Sequence, residues 1–139
     1  MEQSKLISCV IAKLKIAYPY YFNKLSKEDF VGMVTMYQEY LGNLNPNALM
    51  MTLKKIIKKE EYMPSIPTIL NTYRKEACSY FIELINSTDA DVEDKKYLES
   101  MAEWYSLQED YPSDFLKRIN ELEQIKLKSN KKEALPYDN

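Results

Sequence analysis

Histidine is missing from this 139-residue sequence, glycine occurs only at Gly32 and Gly42, and cysteine only at Cys9 and Cys78. Without histidine there is no imidazole general base, no Ser–His or Cys–His nucleophile and no His-ligated zinc. Two glycines ten residues apart cannot build a Walker A loop or a dinucleotide-binding turn. Tight hairpins lean on glycine, so a barrel or sandwich is disfavoured as well. The two cysteines lack metal-ligand spacing and read as free thiols of a reducing cytoplasm. The start, MEQSKLIS, has no apolar signal core, and no apolar run approaches ~18 residues, so neither export nor membrane spanning is expected. What is left is a helical protein that binds and does not catalyse, with no cofactor and no metal.

Charge is uneven along the chain. Residues 1–85 hold eleven Lys and Arg against eight Asp and Glu, a net of +3, and residues 86–139 hold eight against thirteen, a net of −5. The change of sign suggests two parts, an N-terminal helical bundle over 1–86 and an acidic helical C-terminal region over 87–139. The length suits one core of ordinary size, or a small core plus a tail.

Apolar residues recur at helical spacing almost throughout. Leu6, Ile7, Val10, Ile11, Leu14, Ala17 and Tyr18 share one arc of a first helix, ended by Pro19. Tyr18, Tyr20, Tyr21 and Phe22 crowd that turn and are expected to plug the end of the core. Ser26-Lys27-Glu28-Asp29 has the form of a capping box and opens a second helix with Phe30, Val31, Met33, Val34, Tyr37 and Leu41 on one face. Gly42 stands where helices end; Gly32, inside, costs about 1 kcal/mol against alanine and is open to a close helix contact. Asn45-Pro46 pairs a cap with a first-turn proline and starts a third helix with Leu49, Met50, Leu53, Ile56 and Ile57 inward. Met63-Pro64-Ser65-Ile66-Pro67 leads, with Ser65 as cap, into the longest helix, striped by Ile66, Ile69, Leu70, Tyr73, Ala77, Tyr80, Phe81, Leu84 and Ile85.

Beyond the polar break Asn86–Asp89, two further amphipathic helices are expected. One carries Tyr97, Leu98, Met101, Trp104 and Tyr105. The other, capped by Ser113, carries Phe115, Leu116, Ile119, Leu122 and Ile125 as far as about Lys128, and residues 129–139 read as a short frayed tail. The fold class is thus all-α, about four helices in a small bundle followed by two more.

Two features invite a functional reading. Lys54, Lys55, Lys58 and Lys59 form a possible basic face, either a phosphate-binding patch or a solvated helix back favoured by the helix dipole. The C-terminal helices either fold back on the first bundle and complete its core, or dock on a partner through Trp104, Tyr105, Phe115, Leu116, Ile119, Leu122 and Ile125. Adjacent carboxylates such as Glu28/Asp29, Glu60/Glu61 and Glu93/Asp94 do not face each other on a helix and make poor acid–base pairs. Asp89-Ala90-Asp91 with Glu93 and Asp94 is only part of a calcium loop, lacking the central glycine and the twelfth-position glutamate.

The order of these pieces resembles a known family. It runs through Ala17-Tyr18-Pro19 with Tyr21 and Phe22, Leu25-Ser26-Lys27-Glu28-Asp29, Val34-x-x-Tyr37-x-x-x-Leu41, Ala48-Leu49-x-x-Thr52-Leu53-Lys54-Lys55-Ile56-Ile57 and Met63-Pro64-Ser65-Ile66-Pro67-Thr68-Ile69-Leu70. Across Val10 to Lys75 the chain is similar to the replicative-helicase loader/inhibitor proteins of phages of low-GC Gram-positive bacteria. The resemblance implies an all-helical N-terminal domain, a C-terminal region that contacts a hexameric DnaB-type helicase, and inhibition followed by delivery to an origin through an initiator protein. It implies work in the cytoplasm of a bacterial host, without ATPase activity; the net charge of −2 argues separately against strong nucleic-acid binding. A small helical nucleic-acid-binding regulator and a helical scaffold or assembly accessory protein stand beside it as alternatives.

Overall fold

A computed structural model describes residues 2–88, 92–108 and 110–134. Seven helices and no strand occur among the described residues: α1 (Gln3–Ala17), α2 (Pro19–Asn23), α3 (Lys27–Leu41), α4 (Pro46–Lys59), α5 (Ile66–Ser87), α6 (Val92–Ser106) and α7 (Ser113–Ala134). The all-α class holds. None of these helices is long and apolar enough to cross a membrane. The chain forms two compact units, Met1–Glu76 and Ala77–Asn139. They meet inside α5, whose apolar stripe runs on without a break, and not at the polar residues after Asn86.

In the N-terminal unit α1 packs against α2, α3 and α4. Its Leu6, Ile7, Val10, Ile11 and Leu14 are buried, joined by Leu41, Leu49, Leu53, Ile56 and Ile69 from α3, α4 and α5. Pro19 does more than end α1. It occupies the first turn of the one-and-a-half-turn helix α2, where its missing N–H is harmless. The aromatic turn is therefore helical, and only part of it plugs the core. Tyr18 and Phe22 are buried, whereas Tyr20 and Tyr21 are exposed, with the Lys24 ammonium 4.1 Å from the Tyr20 ring centre. The Tyr18 hydroxyl donates to the Glu60 carbonyl at 2.8 Å, tying the end of α1 to the end of α4.

Helix starts follow the local chemistry. Ser26 Oγ accepts from the Asp29 N–H at 3.1 Å, Asn45 Oδ1 from the Ala48 N–H at 3.0 Å, and Ser65 Oγ from the Thr68 N–H at 3.3 Å. Each satisfies one of the orphan donors of a first turn. Ser113 differs by a residue: it lies within α7, and the first helical bond runs from the Leu116 N–H to the Pro112 carbonyl. At the other end α7 continues past Lys128 to Ala134. Lysine, glutamate and alanine all suit a helix, and no breaker intervenes before Pro136.

Gly42 ends α3 as expected, whereas Gly32 lacks the close helix contact open to it. Gly42 follows α3 with φ −65° and ψ −25°, so no left-handed turn requires it. Space does. A methyl group there would overlap the Gln3 side chain and the Gln38 carbonyl, where Gln3 Nε2 donates to Gln38 O at 2.9 Å. Gly32 makes no close helix contact, since nothing lies within 4 Å of where its Cβ would be. Gly32→Ala should therefore stabilise the protein by about 0.5–1 kcal/mol, and Gly42→Ala should destabilise it by about 1–3 kcal/mol. Denaturant titrations of the two variants against the wild type measure both signs.

The C-terminal unit has its own core of Ala77, Phe81, Leu84, Ile85, Leu98, Ala102, Phe115, Ile119 and Leu122. The C-terminal helices thus cover their apolar faces against the second half of α5. Around Phe81 the rings of Tyr111 and Phe115 stand edge-on at 5.1 and 5.7 Å, and Tyr111 stacks on Phe115 at 5.5 Å, arrangements that suit the ring quadrupoles. Hydroxyls close α5: Ser87 donates to the Leu84 carbonyl and Thr88 to that of Ile85.

Burial pushes the Tyr37 hydroxyl up to about 12, with the charge of an ionised Tyr21 adding to the rise. The folded state thus holds the neutral phenol more tightly than the unfolded chain, whose tyrosine ionises near 10. Its contribution is intact below pH 10 and lost as pH climbs from 10 to 12, by roughly 2–3 kcal/mol. Tyr37→Phe should lose that part of the alkaline destabilisation, as read from unfolding free energies measured between pH 9 and 12.

Candidate interaction surfaces

The seven C-terminal residues singled out as partner contacts do not form one surface. Phe115, Ile119 and Leu122 are at most 2% exposed and belong to the core of the C-terminal unit, so they are not available as docking anchors. Leu116 is half-buried. Tyr105 is half-buried too, its ring 6.1 Å from Phe115. Trp104 is different: it packs edge-on against Tyr105 at 4.8 Å yet is 57% exposed. Ile125 is 51% exposed. The inward edge of α6 is made by Leu98 and Ala102, leaving Tyr97 on the surface with Trp104. Ala102 is buried although its small side chain carries little weight in a hydrophobic arc.

Between α6 and α7 lies an open groove of about 460 Å³. Tyr97, Leu98, Met101 and Phe115 form its apolar wall, with Asp94, Asp114 and Arg118 at its edge. Cys78 lies half-buried in the same unit. Burial pushes its thiol up, and the charge of Glu103 acts in the same sense against hydrogen bonds with Ser106 and Tyr111. It stays protonated at neutral pH and is no activated nucleophile.

The four lysines of α4 do not make a single face either. Lys55 pairs with Glu76 of α5 at 2.7 Å. Lys55 and Lys59 border a cleft of about 180 Å³ that also contains Lys75, Glu60 and Glu76, so their field is largely balanced. Lys54 and Lys58 lie one turn apart on the side facing α1. There a wider groove of about 770 Å³ opens between α1 and α4, floored by Ile16, Ala17, Met50, Met51 and Ile57 and bordered by Lys13, Lys54 and Lys58. Met50 and Ile57 were expected to point inward. The core instead takes Ala48 and Thr52, the latter with its hydroxyl bonded back to the Ala48 carbonyl at 2.8 Å. Small residues let α4 approach its neighbours closely and turn the larger ones toward the groove.

No group of three or more Cys, Asp or Glu residues able to hold a metal occurs among the described residues. The Asp89–Asp91 stretch with the partial calcium-loop pattern lies outside them. Comparison of the chain with protein-family models, with curated proteins and with solved structures gives no match.

Core and surface aromatics should separate cleanly on mutation. Phe115→Ala should cost about 3–5 kcal/mol, whereas Trp104→Ala should cost no more than about 1.5 kcal/mol. Urea unfolding followed by circular dichroism compares the two.

Proposed function

We propose that this chain is a non-catalytic accessory of phage DNA replication that binds a hexameric DnaB-type helicase, restrains it, and helps deliver it to an origin through an initiator protein. The supporting observation is a coincidence of limits. The stretch that resembles the loader/inhibitor family, Val10 to Lys75, falls within the compact unit Met1–Glu76, and its motif residues take coherent places there. Ser26 and Asn45 cap helices. Tyr18, Phe22, Tyr37, Leu41, Leu49, Leu53 and Ile69 are core.

In this proposal the helicase contact falls to the C-terminal unit, through the exposed Tyr97, Trp104 and Ile125 and not through the buried Phe115, Ile119 and Leu122. Restraint is steric. Apolar side chains on an acidic surface occupy a site on helicase subunits and limit ring motion, so any effect on the helicase's ATP cycle comes through binding alone.

The full-length protein, used as bait in phage-infected host extract, should recover the replicative helicase. With the purified pair, Trp104→Ala/Ile125→Ser should weaken inhibition of helicase ATPase by at least tenfold, since aromatic anchors carry on the order of 2 kcal/mol or more at interfaces. An extract that yields no helicase removes the proposal. A double variant that inhibits as well as the wild type removes the assigned contact.

A further inference from the structure

The α1/α4 groove combines three properties that together specify an occupant. Its lining is largely apolar, and part of it is left to solvent, with Ile16 83% exposed. Monomeric proteins seldom leave large side chains clustered in a concave site without a use for them. Among the described residues its border is cationic only. Lys13, Lys54 and Lys58 are all exposed, and no described carboxylate lines the groove, in contrast to the neighbouring cleft, where Glu60 and Glu76 face Lys55, Lys59 and Lys75. Finally, Met50 and Met51 sit side by side in the lining, and unbranched thioether side chains adapt their shape to an incoming apolar face.

We propose that this groove is a docking site for a short acidic amphipathic helix of a partner protein. A trough between two helices accepts a third by ridge-into-groove packing. From Met50 to Lys58 the α4 wall extends ~12 Å, which matches anchors at i, i+4 and i+7 of a bound helix, ~10.5 Å apart end to end. Glutamates and aspartates flanking that stripe meet the three lysines. A nucleic-acid backbone would find charge at the border, but a floor of isoleucine, alanine and methionine has no donor for phosphate. The proposal concerns the N-terminal unit alone and does not depend on a helicase partner.

Two fluorescein-labelled synthetic helices test it on the full-length protein. Both carry leucine at i, i+4 and i+7; one is flanked by glutamate, the other by lysine. Fluorescence anisotropy should show the glutamate helix binding at least tenfold more tightly than the lysine helix. Ile16→Ser, a change at an exposed position, should weaken that binding at least fivefold with an unchanged circular dichroism spectrum. The triple variant Lys13→Glu/Lys54→Glu/Lys58→Glu should reverse the preference. Equal binding of the two helices, binding that survives Ile16→Ser, or a preference that the triple variant leaves in place would overturn the proposal. So would a double-stranded oligonucleotide that displaces the glutamate helix and itself loses affinity in the triple variant.

Discussion

The apolar stripe of α1 is the element on which the N-terminal unit depends. Leu6, Ile7, Val10, Ile11 and Leu14 are almost wholly enclosed, and α1 packs on α2, α3 and α4. Each such side chain is worth about 1.5–3 kcal/mol when removed from water, so a single helix supplies a large share of what holds three others. The polar details serve the same seat. Gln3, in the first turn of α1, closes the end of α3 through the Gln38 carbonyl. Tyr18, just after its last turn, reaches the Glu60 carbonyl at the end of α4. With almost no glycine to make corners, the chain turns by side-chain caps and prolines, and no described residue needs a positive φ.

Much of this was legible in the sequence because capping is local. Ser26 finds its donor three residues on and Asn45 likewise, so the short-range pattern carries the whole interaction. Periodicity located the helices for the same reason. What it could not show is which edge of an apolar arc turns inward. On α4 the arc predicted Met50 and Ile57 inside, but Ala48 and Thr52 occupy the core. On α6 it favoured Tyr97 and Trp104, but Ala102 is buried and both aromatics are exposed. In each case a small residue is fully buried, and a scale that rewards size overlooks it. The glycines teach the same lesson. Nothing local distinguishes Gly32, in open space, from Gly42, pressed against a side chain thirty-nine positions earlier in the chain.

The functional surfaces were less legible because they depend on what is left uncovered. Predicted partner residues divided into a buried set and an exposed set, according to how α6 and α7 meet the second half of α5. The lysines of α4 divided by their neighbours: one pair faces the carboxylates of Glu60 and Glu76, the other an apolar trough. A run of four positive charges thus has two electrostatic characters within one helix. The −2 total of the chain hides both.

Helix α5 belongs to both compact units, with Ile69 and Tyr73 in one core and Ala77, Phe81, Leu84 and Ile85 in the other. The peptide at Glu76–Ala77 is therefore an intrahelical bond, held by the same hydrogen-bond ladder as its neighbours. Severing it would strip partners from carbonyls on one side and from N–H groups on the other. Gene segments encoding either unit would not exchange cleanly at that point, and a recombination that kept one core would carry part of the other along with it.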